Sequence, residues 1–247
     1  DGSSWSEQSD MSVARSQLGA AGIQTSALGF GGYNSPSSPK FTTATEEYGG
    51  SSWTTGGALG TARYRVAGSG SSNTAALGFG GYTNTQVANT EGYDGSSWSS
   101  RANLGTARER LAGCGTQTTA LAFGGYTTGN VETTEEFTTS IFSPIAATWA
   151  SGGNLNNTGA NRGAFGTQTA GLSLGSYQYP PNVSTTNVEE YNGSAWTAKS
   201  AMGTSRYGAG GAGISTAGLV FGGATGPATT ETVNTEVWNG ASWTEVA

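Results

Sequence analysis

The chain of 247 residues has no histidine, one cysteine (Cys114) and three aspartates, Asp1, Asp10 and Asp94. These scarcities exclude most catalytic designs, because a Ser-His-Asp set, a His or Cys cluster for zinc or copper and an Asp-rich calcium loop all need residues that are missing. A lone thiol forms no disulfide within the chain and leaves the redox compartment open. Charge is scarce too: charged residues make up 11%, with Lys+Arg 10 against Asp+Glu 16 and a formal net charge of −6. Ten cations in an acidic chain lay down no electrostatic track for phosphates, so a nucleic-acid partner is not expected. Apolar runs stay far short of the ~20 residues that span a bilayer, and no basic, apolar and small-residue leader opens the chain. No membrane insertion, cofactor or metal, and no enzymatic activity, is expected.

Glycine, by contrast, is abundant at 42 residues, and there are seven tryptophans. Glycine alone would suggest a low-complexity coil, but here apolar residues fall at fixed phases of a repeat. The hydrophobe that precedes a glycine pair recurs as Phe30, Phe79, Phe123, Leu174 and Phe221, at intervals of 49, 44, 51 and 47. A tryptophan series runs in step: Trp5, Trp53, Trp98, Trp149, Trp196 and Trp243, at intervals of 48, 45, 51, 47 and 47. Such spacing indicates stacked repeats in which each unit buries its apolar face on its neighbour.

The stretch from Leu104 to Phe137 shows one unit most clearly. A first run, Ala107 to Cys114, is expected as strand a and turns at Gly115-Thr116-Gln117-Thr118. Ala120 to Phe123 is short and apolar, as befits strand b, and Gly124-Gly125 stops it. Thr134 to Phe137 supplies strand c and Trp149 marks strand d. Five such sets fill the chain, at about 11–54, 55–99, 100–150, 151–197 and 198–247, and residues 1–10 read as an extra outer strand or arm. One all-β domain over 1–247 is expected. Cys114 falls where other repeats have Ala21, Ser69, Phe165 and Ala212, which reads as a buried filler.

The segments LGFGGY at 28–33 and 77–82, LAFGGY at 121–126, LSLGSY at 172–177 and LVFGGA at 219–224 carry a resemblance. With the aromatic of strand c and the tryptophan of strand d, they make the chain similar to kelch repeats. That resemblance implies a five-bladed β-propeller of four-stranded blades. The TAR, TQT, FGGY and TEEY wording also resembles kelch-like arrays of marine bacteriophage virion proteins, which implies a place on a virion surface or outside a cell, within a larger assembly.

Three residue series are candidates for function. Glu46, Glu91, Glu135, Glu189 and Glu236 hold one position in every repeat and read as structural, since catalysis needs asymmetry. Arg15, Arg63, Arg108 and Arg206 head strand a, with Gly159 in the fourth repeat. Those arginines either buckle strands together through the glutamates or, if strand a lines the axis as the kelch resemblance implies, form an anion-binding channel mouth. Tyr33, Tyr82, Tyr126 and Tyr177 end strand b and either cap the blade core or present rings to a sugar. Variable b–c loops lie at that end, whereas the a–b and most c–d corners are short and uniform, so ligand is expected on the variable face. The exception is the 138–148 insertion, whose Ile141, Phe142 and Ile145 either tuck under the third repeat or dock another chain. The expected role is a non-enzymatic module that binds a cell-surface glycan or other virion or surface proteins; the alternative is a protein-interaction module that holds an acidic peptide at the channel mouth.

Overall fold

The computed structural model describes residues 5–34, 40–139, 148–226 and 230–246. It is a five-bladed β-propeller of four-stranded antiparallel sheets. Blade I is β1 (Gly19–Ile23), β2 (Ser26–Phe30), β3 (Thr45–Tyr48) and β4 (Trp53–Thr55); blade II is β5 (Ala67–Ser72), β6 (Ala75–Phe79), β7 (Thr90–Tyr93) and β8 (Trp98–Arg101). Blade III is β9 (Ala112–Gly115), β10 (Thr119–Phe123), β11 (Thr134–Thr138) and β12 (Thr148–Ser151). Blade IV comprises β13 (Gly163–Thr167) and β14 (Ala170–Leu174), a small hairpin of β15 (Tyr177–Gln178) and β16 (Val183–Ser184), then β17 (Val188–Tyr191) and β18 (Trp196–Ala198). Blade V repeats this plan with β19 (Gly210–Ile214), β20 (Ala217–Phe221), the hairpin β21 (Ala224–Thr225) and β22 (Thr230–Glu231), β23 (Thr235–Trp238) and β24 (Trp243–Val246). Most of the 138–148 insertion falls outside the described residues.

Inner strands stand side by side in the order β1, β5, β9, β13, β19. Their small residues allow this: a Cβ on Gly68 would lie 2.2 Å from the Ala20 carbonyl oxygen of the preceding blade. The glycine pairs after strand b serve the same end. Gly80 and Gly81 have φ of 65° and 109°, and a Cβ on Gly80 would sit 2.8 Å from the carbonyl oxygen of Arg108. Only a residue without a side chain accepts both constraints.

Four buried clusters fill four blade-to-blade junctions. Between blades I and II, Leu28 and Phe30 meet Val66, Ala76 and Tyr93; the II–III, III–IV and IV–V junctions repeat the arrangement. At three of them the outer-strand tryptophan closes the layer on the preceding blade. Trp98, Trp149 and Trp196 place their rings 4.8, 5.2 and 4.7 Å from Phe30, Phe79 and Phe123. Their indole N–H groups donate to Thr45, Thr90 and Thr134 at 2.9, 3.3 and 3.0 Å. The tryptophan is thus an amphipathic bolt, apolar against the neighbour's core and polar against its strand c.

Strand a is shorter than its sequence suggests. The expected run from Ala107 to Cys114 is strand only from Ala112, because residues 107–111 leave the sheet to turn at the axis, where Arg110 takes a φ of 55°.

Candidate ligand-binding site

The structure places the four repeat arginines, Arg15, Arg63, Arg108 and Arg206, inside the blades: of the two readings, pairing with the repeat glutamates holds, and the anion-binding channel mouth is not built from these residues. Their side chains are 0% exposed and pair with Glu46, Glu91, Glu135 and Glu236 at 3.0, 3.2, 3.2 and 2.7 Å. Each guanidinium also donates to carbonyls on both sides of the b–c connection, as Arg108 does to Ala122 and Thr133. The other carboxylate oxygen accepts a backbone N–H three residues before the arginine, from Ser12, Gly60, Gly105 and Gly203 at 2.7, 2.7, 2.6 and 2.6 Å. Burial pulls the Arg15, Arg63 and Arg108 guanidinium groups below their ordinary range, and the paired glutamates oppose this. The Nε atoms of Arg15, Arg63 and Arg108 find no hydrogen-bond partner among the described residues, but they are buried with the rest of the side chain; this staple joins strands b and c to the incoming d–a turn and offers nothing to a ligand.

Two residues beyond the staple lies the position that does face the axis. Gln17, Arg65, Arg110, Asn161 and Gly208 are equivalent, and their φ values are 54°, 54°, 55°, 54° and 64°. Four non-glycine residues in the left-handed region cost on the order of 1 kcal/mol each, so the surroundings must hold them there. A hand-to-hand chain of backbone bonds does so: Arg65 N–H donates to Gln17 O (2.8 Å), Arg110 to Arg65 (3.2 Å), Asn161 to Arg110 (3.0 Å) and Gly208 to Asn161 (2.7 Å). These residues and their successors Leu18, Val66, Leu111, Arg162 and Ala209 line a pit of about 330 Å³ that every blade shares.

The pit carries an unequal charge. Arg65 is neutralised by the buried Glu109 at 2.7 Å and also donates to Gln17 Oε1 at 2.8 Å. Arg110 has no carboxylate within ion-pair distance among the described residues; burial, and then the like charge of Arg65, lowers its pKa. Aromatic rings surround both. Arg65 lies 4.8 Å from the Tyr64 ring centre and 6.0 Å from that of Tyr82, and Arg110 lies 5.8 Å from Tyr126. Tyr33 and Tyr82 each approach Tyr64 at 5.5 Å, and Phe41 stacks on it at 5.3 Å. Across blades IV and V, Tyr177 meets Tyr207 at 4.8 Å, where burial raises the Tyr207 pKa.

The four strand-b tyrosines, Tyr33, Tyr82, Tyr126 and Tyr177, are all half-buried and bridge to the d–a turn at the variable end. The geometry brings Tyr82 beside Arg65 and Tyr126 beside Arg110, whereas Tyr33 packs on Tyr64 and Tyr177 on Tyr207. Reading the sequence missed Arg65, Arg110, Tyr64 and Tyr207. The sequence carries no clear signal for them: the position two after the repeat arginine reads Gln17, Arg65, Arg110, Asn161 and Gly208, and the positions on either side of it vary as widely. A pit lined by arginines, with aromatic rings beside two of them, suits a ligand with an anionic group and a flat or hydroxylated body.

No family model matches the chain, and no curated protein is similar enough to be counted a relative. Solved structures do match, among them the structure of YjhT, at a TM-score of 0.74 and 12% identity, over 94% of this chain and 84% of that one. At that identity the likeness is one of fold. Propellers of this kind commonly serve binding or interaction, through residues set on a rigid ring.

Proposed function

We propose that the protein is a non-enzymatic recognition module that binds an acidic glycan in the axial pit, on a virion or cell surface. Arg110 carries the reading: a partly desolvated guanidinium without a carboxylate partner among the described residues, in a pit that all five blades line. A carboxylate or sulfate on a sugar would complete it, and Tyr64, Tyr82 and Tyr126 would pack on the ring. The glutamates support a binding role over hydrolysis, because Glu46, Glu91, Glu135, Glu189 and Glu236 are all buried and held by backbone amides. Low charge and the Ser/Thr/Gly-rich surface fit an extracellular or virion setting, as does the resemblance of the repeats to kelch-like phage arrays. Arg110 also favours a second reading, an acidic peptide held at the same pit.

A glycan array with uronic, sialylated and sulfated members beside neutral ones tests the proposal. Acidic members should bind, and Arg110→Ala should weaken them about tenfold to a hundredfold. Arg101→Ala on the outer strand β8 removes the same charge far from the pit and should leave binding unchanged. Loss of binding in both variants, or in neither, would remove the pit from the account; capture of acidic peptides with no glycan bound would move the function to the second reading.

A further inference from the structure

The junction between blades V and I is unlike the other four. Inner strands β19 and β1 do not stand side by side, and the axial chain of backbone bonds stops there: neither the Gln17 N–H nor the Gly208 carbonyl finds a backbone partner among the described residues. Side chains that are sealed elsewhere lie open. Leu28, Leu77, Leu121 and Leu172 are 0% exposed, and so are Phe30, Phe79, Phe123 and Leu174, whereas their blade V equivalents Leu219 and Phe221 are only half-buried. On the inner strands, Ala212 of blade V and Ala20 of blade I are exposed, although Cys114 and Phe165, at the position of Ala212, are buried.

What does reach blade V is the N-terminal arm. Trp5 lies 5.1 Å from Phe221 and its indole N–H donates to Thr235 Oγ1 at 3.3 Å. These are the contacts that Trp98, Trp149 and Trp196 make with the preceding blade, in the same register. Trp53, the outer-strand tryptophan of blade I, does not take this place and packs on Tyr48 of its own blade. On its other side the arm meets blade I as a preceding blade would. Tyr48 Oη donates to Gln8, as Tyr93 does to Glu47 and Tyr191 to Glu136 of the blades before them, and Ser9 Oγ donates to the Ser51 carbonyl.

We infer that the V–I seam is the docking site for strands a, b and c of one more repeat of this chain's own kind, for which residues 5–10 already supply the outer strand. The seam offers what each occupied junction offers. Its walls are apolar, through Leu219, Phe221 and Val237 on one side, and its inner strands, β1 and β19, are glycine and alanine up to a terminal isoleucine, Ile23 and Ile214, so that a neighbour can approach closely. The incoming unit would need a small residue facing Ala212, an apolar strand b to pack behind Trp5, and a backbone carbonyl and N–H to join Gln17 to Gly208.

The test appends a second copy of residues 58–93, which carry strands a to c of blade II, after Ala247 of the full chain; a fusion with the same residues in scrambled order is the control. Relative to the control, the repeat fusion should remain monomeric, melt several degrees higher and slow amide exchange at 19–23 and 210–214 by about tenfold or more. Trp5→Ala should lower Tm more in the repeat fusion than in the parent. Equal exchange and Tm in the two fusions would overturn the inference. Protection that appears only as the protein dimerises would overturn it as well, since a second copy would then be the occupant.

Discussion

Blade IV and blade III hold the same buried carboxylate by different means. In blade III, Glu135 meets Arg108 and the N–H of Gly105. In blade IV the arginine is replaced by Gly159, and Glu189 instead takes the backbone and side-chain amides of Asn156 at 2.8 and 2.7 Å and of Asn157 at 3.3 and 3.3 Å. The vacated slot is filled by Arg162, which donates to Ser173 Oγ at 3.1 Å and to the Asn157 carbonyl. Ser176, where other blades have glycine, closes over it; a Cβ on Gly159 would come within 2.5 Å of the Ser176 Cβ. Glu189 is as buried as its counterparts, so the fixed part of the staple is a buried carboxylate with a backbone N–H on one oxygen, while the other oxygen meets the arginine as an ion pair in blade III and amide N–H groups in blade IV. Which residue donates is negotiable, because burial charges for unmade hydrogen bonds whatever their source.

The largest effect that would break this comparison is loss of the cation. Arg108→Ala leaves Glu135 buried with one amide and should cost about 3–5 kcal/mol in a denaturant titration. Arg162→Ala leaves Glu189 its four amide donors and should cost less, about 1–3 kcal/mol. Equal losses would show that neutralising charge, not the number of donors, holds the staple. The swap should also run backwards: Gly159→Arg alone destabilises by steric conflict with Ser176, and adding Ser176→Gly and Arg162→Leu should recover most of the loss.

The junctions differ in a second way that pH exposes. Tyr93 donates to Glu47 across I–II, and Tyr191 to Glu136 across III–IV, whereas II–III has Gly92 and Phe137 at these places. Burial first, and the glutamate hydrogen bond next, push both phenols up to about 12. The folded state favours the protonated phenol, so its contribution is whole below the ordinary value near 10 and is lost as pH rises from about 10 through 12. Tyr93→Phe and Tyr191→Phe should each cost about 1.5–3 kcal/mol at neutral pH, and the double variant should show a flatter stability profile between pH 10 and 12 than the parent. Parallel profiles would mean that these phenols titrate alike folded and unfolded.

Much of the ring was legible because repetition averages out local ambiguity. Strand b, with its apolar run and glycine stop, lies where the spacing of Phe30, Phe79, Phe123, Leu174 and Phe221 puts it. The tryptophan phase also reads correctly as an inter-blade bolt at Trp98, Trp149 and Trp196. What did not show was the direction of side chains in the d–a turn. Arg108 and Arg110 are two residues apart and both basic, and only the left-handed backbone at Arg110 sends one into the blade and the other to the axis. Propensity gives no warning of that, because an arginine at positive φ is held by its neighbours' carbonyls and not by its own preference.

The smallest expected effect sharpens the comparison at the IV–V junction. Trp98, Trp149 and Trp196 donate to a threonine hydroxyl at the start of the preceding strand c, but blade IV has Val188 at that position and the buried Trp243 Nε1 has no partner among the described residues. The junction is correspondingly looser, with Trp243 6.5 Å from Phe165 against 4.7–5.2 Å for the other three pairs. Val188→Thr keeps the β-branched shape and adds the missing acceptor, so the cost of burying a hydroxyl is met by a bond to an indole that already lacks one. Stability should rise by about 0.5–1.5 kcal/mol, read as a higher denaturant midpoint at unchanged slope. Val188→Ala, which removes bulk without adding an acceptor, should move the midpoint the other way. If Val188→Thr destabilises as well, the tryptophan at this junction is too far from strand c to be bonded, and the repeat has abandoned the bolt at blade IV along with the arginine.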